Sequence, residues 1–151
     1  MRTKLTYIIV VAFFISALFL YFTYDNWGTA KIKLGGEKMD VLVAETLYQQ
    51  HKGLGGRKEL KQYDGMLFKY YPPRRVGIVM RDMHFAIDII WLKDGQVVDI
   101  KHNAKPQPNT PEDELKVYRS KKEANMVLEV PAGWAKKHGI DGGTRMKILQ
   151  E

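Results

Sequence analysis

From Leu5 to Tyr24 the chain reads LTYIIVVAFFISALFLYFTY, 20 residues without a charge. No other segment restricts the possible folds so strongly. A helix rises about 1.5 Å per residue, so a run of this length matches the ~30 Å hydrocarbon core of a bilayer. Arg2 and Lys4 precede it. Tyr21, Phe22, Tyr24 and Trp27 gather at its far end, where amphipathic rings suit the headgroup level. The run is terminal and apolar on every face, which does not read as a buried core helix. An uncleaved signal anchor competes with a signal peptide cut after Gly28-Thr29-Ala30. Secretory apolar regions usually span about 7–15 residues, and this one is longer. Ala30 also lies far past the run. The sequence therefore favours an anchor at residues 1–26 (helix about 5–24) and an extracytoplasmic domain at 27–151, with a secreted or periplasmic product as the alternative. Arg2 and Lys4 favour a cytoplasmic N-terminus, a bias that Lys31 and Lys33 weaken.

Without Arg2, Lys4 and Asp25, the remainder carries 22 basic and 16 acidic residues, net +6. A basic domain beside a membrane is drawn to anionic lipid or envelope polymer. The basic residues are scattered, however, as in a well-solvated surface. No nucleic-acid motif occurs, and nucleic acid is not an expected partner. The chain has no Cys, which excludes disulfides, thiolate catalysis and Cys-based zinc sites. The fold must be held by its core alone.

That core reads as mainly β. KIKL (31–34) and KMDVLVA (38–44) flank Gly35-Gly36, a hairpin turn. Thr46 and Gln49 form a capping-box pattern for a short helix, with Gly55-Gly56 as its stop. Strands follow at Met66–Tyr71, ended by Pro72-Pro73, then at RVGIVM (75–80) and Phe85–Leu92. Asp94-Gly95 turns the chain into VVDIKH (97–102). Residues 103–117 form a long loop with Pro106, Pro108 and Pro111, the length of a lid. NMVLEV (125–130) is a strand. Pro131 fits the first position of a second helix and Gly139 its cap. A last strand closes the chain. The expected fold is a small β sandwich or barrel-like domain of about eight strands and two short helices, behind one N-terminal transmembrane helix. Unbroken apolar strands imply burial on both faces in places.

Three blocks carry a family likeness: GLGGRKEL with DGMLF (53–60, 64–68), Met80 with DIIWLKDGQVVDI (88–100), and VLEVPAGWAKKHGI (127–140). In order and spacing they resemble the family catalogued as domain of unknown function 192, over roughly Lys38 to Leu149. The resemblance implies a small, mainly β domain, often behind an export segment, with no established activity. Arg57, Met80 and Asp88 match the family pattern. The chain departs from it at Gly55, Ile78-Val79, Arg81-Asp82-Met83 and Ala86-Ile87.

The polar cluster Arg81, Asp82, His84 lies between two apolar runs. Were the segment extended, Asp82, His84 and Asp88 would share one face, an arrangement suited to acid–base or metal-dependent hydrolysis. The competing reading is a solvated turn, since no second His or acid lies at ligand spacing. His102 would come near residue 87 from the neighbouring strand. Asp88, set among isoleucines, needs a partner. Arg57 is the candidate, as an anion-binding pair or a structural bridge. Arg57, Met80, Arg81 and Asp88 are thus the expected binding residues, and Asp82, His84 and Asp88 the catalytic candidates. No metal or cofactor is expected. The sequence favours binding of an envelope saccharide or protein over an enzyme.

Overall fold

The computed structural model of the protein describes residues 2–24 and 27–151, with side chains described for residues 6–18 and 27–151. Helix α1 spans Arg2–Tyr24, and its apolar side chains from Ile8 to Leu18 stand exposed. Among the described residues no helix is long and apolar enough to cross a membrane. The described side chains of α1 cover only the middle of the apolar run, about 20 Å of rise. Leu5 and the aromatic cluster Tyr21, Phe22, Tyr24 fall outside them.

The remainder is one open, curled sheet with a loop layer on one face. Its elements are β1 (Gly28–Leu34), β2 (Glu37–Ala44), α2 (Leu47–Lys52), β3 (Gly65–Arg74), β4 (Gly77–Ile78), β5 (Ile87–Lys93), β6 (Gln96–Ala104), β7 (Tyr118–Arg119), β8 (Ala124–Pro131), α3 (Trp134–Lys137) and β9 (Met146–Gln150). Seven strands form the sheet in the order β6-β5-β8-β3-β2-β1-β9, and β4 pairs with β7 apart from it. All pairs in the large sheet are antiparallel except β2 with β3. The edge strands meet at one corner, where Val97 N–H donates to Thr144 O (2.9 Å) and Met146 N–H to Gly95 O (2.7 Å). The sheet curls without closing, so the barrel-like expectation is corrected to an open sheet.

Period-two alternation divides the core. Leu67, Ile90, Leu92, Leu128 and Val130 face the inside of the curl with Ile32, Leu34 and Met146. Met66, Phe68, Ile87, Ile89, Trp91 and Val127 face the loop layer, where Leu54, Val76, Ile78, Met80 and Met83 cover them. The central strands are buried on both faces, as their apolar runs require.

Local signals set most boundaries. Thr46 caps α2 with Gln49 in a reciprocal capping box. The helix ends two residues earlier than expected, at Gly53 (φ 49°). Residues 75–80 make only the two-residue β4, because their edge pairs nothing but β7. Pro131 ends β8, and α3 starts after Gly133 (φ 86°), so Pro131 is not the first helical residue. β3 continues through Pro72-Pro73 to Arg74.

Candidate functional site

The loop layer leaves a gap over the sheet. Strand β8 alternates so that Glu129 points out of the curl, between Met66 on β3 and Ile89 on β5. A Cβ at Gly65 would lie 2.5 Å from the Glu129 carbonyl oxygen, so glycine lets β3 close up where the floor is built. Phe68 and Ile87 complete the floor; Ile78 and Met83 wall it; Tyr70, Lys52 and Arg81 stand at its edges. The enclosed volume is about 290 Å³, the low end for a small-molecule site.

Glu129 is only 4% exposed. No hydrogen-bond or ion-pair partner for its carboxyl occurs among the described residues. Yet among the described residues every side-chain oxygen or nitrogen that is fully shut off from solvent has a partner. The Glu129 carboxyl oxygens are therefore not wholly shut off from solvent, and Glu129 lines the pocket. Burial pushes this carboxyl up to about 8, because a charge is poorly solvated there. At neutral pH it is mostly a protonated donor. The Tyr70 phenol is also pushed up, first by burial and then by the nearby Glu129 charge, with Arg74 acting the other way. Tyr70 stacks on Phe68 (centroids 6.5 Å apart, 5° between planes), and the Arg74 guanidinium lies 4.8 Å from the Tyr70 ring centre.

Arg81 joins three segments at the rim. Its Nη1 donates to His51 O (2.9 Å) and its Nε to Glu112 Oε2 (2.7 Å), with a second short contact between Nη2 and Oε1. That hydrogen bond holds the Glu112 carboxyl below its ordinary value. Arg81 thereby pins the Pro-rich loop to the end of α2. Gly55 makes room for this turn, since a Cβ there would sit 2.9 Å from Arg81 O. A second hollow, about 320 Å³, lies between Arg81-Asp82-Met83 and residues 107–115 of that loop.

The expected site residues scatter. Asp82 (φ 51°) and His84 are exposed in a turn, not on a strand, so they do not share a face with Asp88. Asp88 faces the other side of the sheet. Its Oδ1 accepts from Asn103 N–H (2.8 Å) and its Oδ2 from Ala135 N–H (3.0 Å), with His102 Nδ1 at 3.9 Å. Arg57 does not pair with it; its guanidinium lies 5.2 Å from the Trp27 ring centre. Met80 is wholly buried core. Only Arg81 reaches the pocket. Among the described residues no three His, Cys, Asp or Glu gather so as to hold a metal ion. Sequence reasoning missed Glu129. The signal was present: an acid at an inward position of MVLEV poses the same question as Asp88 in IDII.

The chain matches the family model DUF192, uncharacterized ACR, over residues 30–148. No curated protein matches it. Two crystal structures are similar. One, from Sinorhizobium meliloti 1021, is described provisionally as a transcription regulator; it is 26% identical with a TM-score of 0.71, over 82% of this chain and 95% of that one. The other, a protein of unknown function from Novosphingobium aromaticivorans DSM 12444, is 27% identical with a TM-score of 0.69, over 79% and 84%.

Proposed function

The chain belongs to the DUF192 family, and we propose that it is a membrane-anchored, extracytoplasmic binding module whose Glu129 pocket takes a small, oxygen-rich envelope saccharide. The buried Glu129 carboxyl, without a partner among the described residues and lining the pocket, carries this reading. An unpartnered buried polar group costs about 1–3 kcal/mol, and a ligand oxygen would recover that. The protonated Glu129 carboxyl donates at the floor, and Tyr70 adds a hydroxyl-bearing ring at the edge. Lys52 at the rim favours a ligand that also carries a carboxylate. Binding fits better than acid–base chemistry, because Glu129 lacks a positioned partner. The basic residues remain scattered, so the regulator description of the Sinorhizobium protein is not carried over.

The uncharged run from Leu5 to Tyr24 supports the anchor. So does β1: a cut after Ala30 would remove three of its seven residues, including the buried Ala30 opposite Val41. Arg2 and Lys4 place the N-terminus in the cytoplasm in this reading.

Thermal unfolding of the full chain in micelles, against mono- and disaccharides, small carboxylates and amines, tests the pocket. A saccharide at about 100 times its Kd should add roughly 2.7 kcal/mol, on the order of 10 °C. The shift should vanish in Glu129→Ala. A shift with amines alone would overturn the ligand class. A saccharide shift that survives Glu129→Ala would overturn the pocket. Intact mass of the membrane fraction separates the anchor, starting near Met1, from a product starting at Lys31.

A further inference from the structure

The register of the sheet places three features at one end. β1 enters at Gly28, which pairs with Val43 next to the end of β2. β3 runs parallel to β2, with Ala44 opposite Phe68, so its later residues extend past that same end. Leu47 begins α2 three residues after β2 stops. Outside α1, Tyr71 (94%) and Leu47 (83%) are the most exposed large apolar side chains among the described residues, and both lie at this end. They flank one depression of about 330 Å³ with Lys69 and Arg74. Tyr48 is the next residue after Leu47 and is also exposed.

This is also where the chain arrives from α1. Helix α1 ends at Tyr24 and β1 starts at Gly28. Four Cα–Cα steps of about 3.8 Å hold those residues within roughly 15 Å of each other. An anchored helix therefore fixes this end of the sheet, and not the Gly35-Gly36 end, against the bilayer. The far end is seven strand residues away, about 20 Å.

We infer that the end of the sheet bearing Leu47, Tyr48 and Tyr71 seats in the headgroup layer of the bilayer, with Arg74 facing lipid phosphate. The inference rests on the anchor reading. Tyr and Leu at a membrane–water boundary bury apolar surface while the phenol stays wet. Among the described residues no carboxylate lies at ion-pair distance of Arg74, while Lys69 is held by Glu45 and Glu151. The occupant is a lipid surface because the tether delivers one there.

The absence of Cys makes the test direct. Leu47→Cys, Tyr71→Cys and Gly36→Cys are labelled with a fluorophore in the full chain, reconstituted in vesicles that contain headgroup-quencher lipids. At Gly36 an added side chain meets no atom within 4 Å. Labels at 47 and 71 should be quenched severalfold more than the label at 36. Arg74→Glu should reduce quenching at 47, by about fivefold per basic residue lost near an anionic surface. Equal quenching at all three positions, with the chain still floating with the vesicles, overturns the docking but leaves the anchor. Energy transfer between labels at 47 on different chains would assign this end to a second copy and also overturn it. A chain that sodium carbonate strips from the vesicles overturns the anchor, and the docking with it.

Discussion

Two acidic side chains sit on neighbouring strands of one sheet, and their fates are opposite. Asp88 on β5 pairs with Val130, and Glu129 on β8 pairs with Ile89, one step along the same ladder. Both are buried. Asp88 points into the curl, where two backbone N–H groups from β6 and α3 converge on it. Glu129 points to the loop layer, where no donor among the described residues meets it and a pocket opens. A buried carboxylate held by peptide donors is structural glue. The same group without donors is either a fault or a place for a ligand. One residue of register separates these outcomes, because successive side chains take opposite faces.

The contrast sharpens under pH, where the largest effect is expected. The Glu129 value rises from 4.5 in the unfolded chain to about 8 in the fold. The fold thus binds this proton more tightly than the unfolded chain does. Its contribution is fully present below about pH 4.5 and is lost as pH rises through about 8. The change is on the order of 5 kcal/mol across that window. Glu129→Gln, which cannot ionise, should flatten this slope and outlast the wild type at pH 9. Denaturant unfolding at pH 6 and pH 9 reads it; equal slopes for the two proteins would break the comparison.

Removing Asp88 comes next. Asp88→Ala leaves the buried Ala135 N–H and the part-buried Asn103 N–H without their acceptor and should cost about 3–5 kcal/mol, roughly 10–20 °C in Tm. The matched apolar swaps differ in sign. Asp88→Leu should destabilise as much as Asp88→Ala. Glu129→Leu should raise Tm by a few degrees at pH 7, since no protein donor loses a partner, while ending any ligand shift. Thermal scans of the two variants decide it. Loss of stability in Glu129→Leu equal to that in Asp88→Leu would make both carboxyls structural.

The smallest effect belongs to the rim. Arg81→Ala should leave Tm nearly unchanged, because a pair with an exposed partner contributes little. It should speed hydrogen exchange across residues 107–115 severalfold, since Arg81 pins that loop to α2. Unchanged exchange there would show that the loop holds its place without the pin.

Some of this was written locally. The capping box of α2, the Gly35-Gly36 and Asp94-Gly95 turns and the apolar runs of β5 and β8 depend on neighbours within a few residues, so they are legible from them. The DUF192 likeness spread over three blocks was legible for the same reason, as ordered short motifs. The site was not. Arg57 was assigned to Asp88 because an Arg and a buried Asp attract on paper. The fold sends Arg57 to Trp27 and brings two peptide N–H groups to Asp88. Asp82, His84 and Asp88 share a face only in an extended segment, and the left-handed Asp82 breaks that extension.

By itself, the sequence determined a terminal apolar helix, a mainly β domain without cysteine, and two acids placed inside apolar strands. These follow from chemistry that acts along the chain: capping, turn geometry and period-two burial. Only the tertiary structure decided that the sheet stays open, that β2 and β3 run parallel, and which acid finds donors. Those outcomes depend on elements as far apart as β5 and α3 meeting in space. A carboxylate's partner is set by who arrives across the sheet, and spacing along the chain carries no record of that arrival.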